Sequence, residues 1–336
     1  MPSGNPGAIV GNESTHTSLR ASIVVCVYTE ERWRLINLAL DSLAKQTVAP
    51  WQVIVVSDYN AALLKRLEAE YPDLEVIPNE FERGLSGARN SGVRHAAGDV
   101  VVFLDDDARA EPGWLETLLA SYEDESVLGA GGQVLADWDS VGKPGWFPDA
   151  FLWVVGCSYE GLPKTKADIR NPVGANMSFR RSAFDRVGLF DYSVGKNSAT
   201  RLQGCEETEF SIRLLGKSPN GRIIYEPRAV VHHYVARTRG TWRYFMRRCY
   251  AEGCSKEQVA QLSGVTAALS SERQYVVHTL RRAAYRELAT VLRRGSGDAF
   301  GRLAALILGV SCAAAGYARS LAVRNLPPRR LKRRSQ

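Results

Sequence analysis

The chain has 336 residues, a net charge of +7, 45% apolar and 24% charged residues. These are ordinary values for a globular protein, with chain enough for one large or two ordinary domains and a real core. Its six cysteines show no CxxC pair and no zinc spacing, which argues against a disulfide framework or a zinc scaffold and predicts reduced thiols in a cytosolic setting. From Arg319 to the C-terminus there are seven Lys/Arg and no acid, a solvated arm or a basic tail for anionic lipid or nucleic acid. Residues 1–20 are polar, without the apolar centre of a signal peptide, and a disordered segment is expected there.

Ser22 to Tyr28 is a β-branched run and reads as a central strand. Thr29 to Gln46 has helical spacing, with Trp33, Ile36, Leu40 and Leu43 on one face. Trp51 to Val56 is a second strand ending at Ser57-Asp58, and Ala61 to Tyr71 a helix stopped before Pro72. Leu74 to Ile77 is a short strand, and Gly87 to Ala97 a helix of small residues. It delivers the chain to Val100-Val101-Val102-Phe103-Leu104, a strand buried on both faces that ends in Asp105-Asp106-Asp107. Strands and helices alternating at this rhythm predict a parallel α/β sheet.

Three adjacent carboxylates repel one another and raise each other's pKa. A divalent cation such as Mg²⁺ or Mn²⁺ removes the conflict, and the carboxyl ends of strands are where open α/β sheets place ligands; a solvated acidic turn is the plainer alternative. Asp58 ends its strand on the same edge, able to accept from a base or ribose, or simply to cap a turn. Between them, Glu82 to Gly92 opens a Gly-rich helix flanked by Arg83 and Arg89, a place for phosphate or for close packing. The first strand-to-helix turn, Tyr28 to Arg32, has no glycine, which counts firmly against a dinucleotide-binding dehydrogenase.

Pro112 to Tyr122 is the next helix, and Val127 to Val134 starts a strand. Trp138 to Leu162 is rich in aromatics, Pro and Gly, suited to stacking on a sugar, to meeting an apolar acceptor tail, or to core. Gly204 to Leu214 places several acids before an apolar helical run, as a helix dipole alone would favour. Ile223 to Glu226 and Ala229 to Val235 read as two strands, the second carrying His232 and His233. Thr241 to Glu252 is an amphipathic basic helix, its Arg243, Arg247 and Arg248 opposed to Trp242, Phe245 and Cys249. Residues 257–294 are helical and Arg-rich. After the break Gly295-Ser296-Gly297, Leu303 to Ala318 runs without a charge, short for a membrane span, which wants about 20 residues. It fits an interfacial helix or a packed one.

Taken in order, SIVVCVYTE, VIVVSD, ERGLSGARNSG and GDVVVFLDDDA resemble the inverting family 2 glycosyltransferases of the GT-A fold, over roughly Ser22 to Lys256. The resemblance implies an α/β sheet with helices on its faces over 21–256, the transferase domain; composition and pattern add a disordered segment at 1–20, a helical extension at 257–320 and a basic tail at 321–336. It implies that Thr29 and Asp58 hold the nucleotide base, with Arg83 and Arg89 near base and diphosphate; only one of the family's two acids stands at Ser57-Asp58. The three aspartates match the family's DXD motif, Asp105 towards the ribose, Asp106 between, and Asp107 on the metal with His233. The step at Gly174-Ala175 would approach the sugar. A Glu-Asp pair supplies the catalytic base in the family; here Glu206-Glu207 stands in its place, and Glu207 is the implied base with Glu206 as the alternative.

The reading is therefore a metal-dependent, inverting transferase. It would take a sugar from a nucleoside-diphosphate donor, UDP-linked by family frequency, to a glycan or lipid-linked acceptor, at the cytoplasmic face of a membrane. Bacterial and archaeal members acting on polyprenyl- or dolichyl-phosphate-linked sugars are the nearest in pattern. A nucleotidyltransferase would also pair carboxylates with Mg²⁺, but would show glycines after the first strand. A non-catalytic sugar-nucleotide or membrane scaffold would have no need of the acids. Nucleic acid is not expected as a partner, because the basic tail lacks interleaved aromatics.

Overall fold

The structure is a computed structural model that describes residues 19–194 and 204–324. Most of the expected disordered start and all of the tail from residue 325 lie outside the described residues. β1 (Ala21–Val27) leads through a 3₁₀ turn into α1 (Trp33–Ala44), then β2 (Gln52–Ser57), α2 (Ala61–Glu70), β3 (Glu75–Pro78), α3 (Leu85–His95) and β4 (Val100–Asp105). These are the elements the rhythm predicts. β1, β2, β3 and β4 are parallel neighbours in the order β3-β2-β1-β4. Their registers pair Val27 with Ser57 and Cys26 with Asp105, so Thr29, Asp58 and the three aspartates leave the sheet at one edge.

Beyond β4 the sheet becomes mixed. β5 (Ala108–Ala110), α4 (Trp114–Leu119), β6 (Val127–Trp138), β7 (Ala167–Asp168), β8 (Asn176–Arg180), α5 (Arg181–Val187), α6 (Glu206–Lys217) and β9 (Arg222–Val235) follow. β8 is antiparallel to both β4 and β6, β9 runs parallel to β6, and β5 and β7 pair antiparallel with β9. The two strands expected over 223–235 are one, with a register break between Glu226 and Val230. Pro227 lies in that break, where the ladder can do without its missing N–H.

The continuous apolar run of β4 is buried on both faces, as it must be in a two-sided sheet. Val102 and Leu104 join Ile23, Val25, Ile36 and Leu40 on the side of α1 and α4. Val101 and Phe103 join Ala88, Phe184, Phe190 and Phe210 on the side of α3, α5 and α6. Small residues let α3 lie close: a Cβ on Gly92 would fall 2.3 Å from Val24 Cγ1, and one on Gly87 1.9 Å from Glu82 O.

The C-terminal helices are α7 (Trp242–Ser263), α8 (Val265–Gln274), α9 (Arg281–Arg294) and α10 (Gly297–Arg324), with a π-helical segment, Tyr275–Leu280, before α9. The uncharged run is thus the middle of one 28-residue helix. α10 lies against α7 at glycines: a Cβ on Gly253 would fall 1.9 Å from Ala313 O, and one on Gly316 2.0 Å from Tyr250 O. Much of the aromatic stretch is core. Phe147 and Phe151 are buried against Phe245, and Trp146 stacks on Trp242 at 4.0 Å.

Candidate active site

The three aspartates occupy the turn between β4 and β5. Because β5 pairs with β9, Ala108 sits opposite His233 and Tyr234 N–H donates to Asp107 O at 2.8 Å. That pairing carries His233 across a long stretch of sequence to the acidic turn. Its Nε2 lies 3.1 Å from Asp107 Oδ1. His232, one residue away and on the other face, pairs instead with Glu111 at 3.0 Å. Asp105, Asp107 and His233 each bring a ligand atom within 4.8 Å of the others. Two carboxylates and an imidazole are a donor set that suits Mn²⁺ and, through the carboxylates, Mg²⁺.

The individual aspartates differ. Asp107 is buried among cations, with Arg32 at 3.1 Å and Arg239 at 3.5 Å besides His233. Burial works against its charge, but His233 and the two arginines prevail and hold the carboxyl well below the usual carboxylate range. For His233 burial again opposes charge, and Asp107 outweighs it, pushing the imidazole up to about 10. Asp106 pairs with Arg32, the same guanidinium that meets Asp107; burial and the neighbouring Asp107 push it up to about 7. Asp105 is the most accessible and faces the cavity.

Arg89 links this turn to the acids of α6. It is 2% exposed; its guanidinium donates to Glu206 Oε1 at 2.7 Å, to Asp105 Oδ1 at 3.3 Å and to Gly174 O at 3.1 Å. Gly174 and Ala175 line the same cavity, at the entry to β8. Cys205 caps α6 in the left-handed region at φ 80°, a conformation that costs a non-glycine residue energy and recurs at functional sites. From that turn Glu206 is directed to Arg89, while Glu207 lines the cavity. Burial, with Glu206 beside it, pushes Glu207 up to about 7.

The nucleotide-side residues are near but differently engaged. Thr29 Oγ1 accepts from Glu31 N–H at 3.3 Å and caps the 3₁₀ turn. The Asp58 carboxylate accepts from Gly84 N–H at 3.1 Å and from Asn79 Nδ2 at 2.7 Å, holding the turn that opens α3. Arg83 is exposed on that turn. Sequence reasoning missed Arg32 and Arg239. Arg32 lies in the glycine-free turn after β1, where the signal was its position at a strand's carboxyl end; nothing local marks Arg239.

The cavity has a volume of about 960 Å³ and holds Arg89, Asp105, Glu206 and Glu207 in its wall. The mixed sheet with helices on its faces thus carries an acidic turn at a strand's carboxyl end beside a carboxylate-lined cavity. The fold is that of GalNAc-T7, crystallised with UDP, GalNAc and Mn2+: the TM-score is 0.51 at 18% identity, over 77% of this chain and 55% of that one. The model of glycosyl transferase family 2 matches residues 22–188. The glucosyl-dolichyl phosphate glucuronosyltransferase of Haloferax volcanii is 34% identical over 242 residues, 71% of this chain and 76% of that protein. The succinoglycan biosynthesis protein ExoM of Rhizobium meliloti is 28% identical over 70% of this chain and 74% of its own. The chain belongs to glycosyl transferase family 2, and it is a glycosyltransferase.

Proposed function

We propose that the enzyme is a metal-dependent, inverting transferase that moves a sugar from a nucleoside-diphosphate donor, UDP-linked in the first instance, to an acceptor hydroxyl on a glycan or a lipid-linked sugar. The observation that carries this is the bridge through Arg89: one buried guanidinium joins Asp105, one of the three candidate metal ligands, to Glu206, beside Glu207. Donor-side and acceptor-side chemistry are thereby held in one cavity.

Asp105, Asp107 and His233 would hold Mg²⁺ or Mn²⁺, which when bound supplies positive charge to the leaving diphosphate. Thr29, Asp58 and Arg83 would face the nucleotide; Asp106, tied to Arg32, fixes the turn that carries the ligands. Glu207 takes the proton of the acceptor hydroxyl. The acceptor oxygen bonds to the anomeric carbon as the bond to the diphosphate breaks, in a single displacement that inverts that carbon. A carboxyl near 7 is matched to this task at neutral pH. The domains would divide at about residue 256. The family favours a transferase over a nucleotidyltransferase or a scaffold.

Among the described residues α10 is long and apolar enough to cross a membrane by length and composition. Its outer face, with Phe300, Ile307 and Leu308 exposed and Arg319 and Arg324 following, favours association with an anionic membrane surface at the cytoplasmic side.

The test is release of nucleotide from a panel of UDP-, GDP- and dTDP-sugars with Mn²⁺ or Mg²⁺. One donor is expected to be hydrolysed slowly, and release to vanish in Asp107→Ala. Neither release nor nucleotide binding with any donor would sink the proposal.

A further inference from the structure

His233 reaches the acidic turn with one ring nitrogen, Nε2, which faces Asp107 Oδ1 at 3.1 Å. The other, Nδ1, meets Cys157 Sγ at 3.7 Å. Both residues are buried, which keeps bulk water from competing for the contact. Cys157 belongs to the aromatic-rich stretch between β6 and β7, and nothing local in the sequence marks it, since a buried free cysteine is usually inert packing.

The fold fixes this cysteine firmly. A 3₁₀ segment, Asp149–Val155, ends at Gly156 in the left-handed region at φ 80°, and Cys157 N–H returns to Leu152 O at 3.1 Å. Glycine suits position 156 for its φ and for room, because a Cβ there would lie 3.4 Å from His233 Cε1. The next residue is tied to β6 twice: Ser158 N–H donates to Val134 O at 2.9 Å, and its Oγ accepts from Val134 N–H at 2.8 Å. Two residues farther along β6, Ala136 pairs with His233. One strand therefore sets both the cysteine and the histidine. The thiol also has a place for its own proton, since Cys157 Sγ donates to Val155 O at 3.8 Å. That leaves the sulfur lone pairs free to accept.

An imidazole that gives the lone pair of Nε2 to a metal ion must keep its proton on Nδ1, and that N–H is ordinarily held by an acceptor behind the ring. We infer that Cys157 is a positioning residue of the metal site: its sulfur accepts from His233 Nδ1–H, which fixes the tautomer and the tilt of the ring and presents Nε2 beside Asp105 and Asp107. This rests on the reading of Asp105, Asp107 and His233 as the metal-ligand group. A thiol is a weaker acceptor than the usual carboxylate or carbonyl, but it is uncharged. A carboxylate in its place would add a further negative charge next to a turn that already carries Asp105, Asp106 and Asp107.

The test compares three replacements in the full chain. Cys157→Ser and Cys157→Ala are nearly equal in size and differ by a hydroxyl that can accept from Nδ1–H; Cys157→Val fills the space without an acceptor. Mn²⁺ affinity in the presence of UDP is read by electron paramagnetic resonance, with the nitrogen modulation of a directly bound imidazole as a second signature. The alanine and valine variants should each bind Mn²⁺ about tenfold more weakly or worse, with the nitrogen modulation diminished. The serine variant should stay within a few-fold of wild type and keep the modulation. Thermal unfolding of each variant checks that it is folded. The inference is overturned if serine is as weak as alanine, or if valine binds as wild type does, since either result would leave Cys157 a packing residue. Wild-type chain that binds no Mn²⁺ would overturn it together with the metal reading beneath it.

Discussion

Glu207 and Arg89 show how much depends on a single side chain. Glu207→Gln removes the proton acceptor and keeps the shape, so transfer should fall by about 10²–10⁴-fold while donor affinity, measured by titration, stays within a few-fold. Because the base works only when deprotonated and its carboxyl stands near 7, kcat should rise with pH through that value and level off above it. A profile flat between pH 6 and 8 would remove Glu207 from the role. Arg89→Met leaves Glu206 buried without its partner, and should cost about 3–5 kcal/mol in chemical denaturation. At this scale the structure adds a partner to Asp58 and departs from the sequence over Arg248. An aspartate at a strand's end looks the same in sequence whether or not it also accepts from a neighbouring turn, as Asp58 does from Gly84 N–H. Arg248 reads as one of three basic residues on a solvated face, and only α7's neighbours turn it inward.

At the scale of the element, the α7–α10 contact is the most demanding packing in the C-terminal half. Gly253→Ala or Gly316→Ala would drive a methyl into a carbonyl of the opposite helix. Each should destabilise by about 1–3 kcal/mol, read as a lower midpoint in thermal unfolding; an unchanged midpoint would mean that the helices do not lie this close. The elements from β1 to β4 are legible because period-2 and period-3.6 patterns are local and the strands are uniformly apolar. β9 is harder to read. Its two apolar runs flank Pro227, which locally looks like a stop, and only pairing with β6 on both sides of the break makes them one strand.

For the molecule as a whole, acid should loosen the helical layer. Burial opposes the charges of Glu252 and Glu272, but Arg248, Lys256 and Arg170 hold both carboxyls down to about 2. Their contribution, on the order of 3 kcal/mol each, is complete above the unfolded value of about 4.5 and is lost as pH falls towards 2. Denaturation midpoints at pH 7 and pH 3 should differ accordingly, and the difference should shrink in Glu272→Gln. The outer face of α10 predicts sedimentation with phosphatidylglycerol vesicles at low salt, weakened by high salt and by Ile307→Glu with Leu308→Glu. Equal sedimentation by that double variant would place the membrane contact elsewhere or nowhere.

The sequence by itself determined the α/β class, the buried strand ending in three aspartates, the acidic start of α6 and the family, because each is written in residues that are neighbours along the chain. The tertiary structure decided what joins them. Arg89 and Glu206 are 117 residues apart and His233 meets Asp107 only because β5 pairs with β9. The ion pairs among Arg170, Arg248, Lys256, Glu252 and Glu272 form only where the β7–β8 connection, α7 and α8 converge. Charge pairing of this kind depends on distance in space and on exclusion of water, and neither quantity is carried by local sequence.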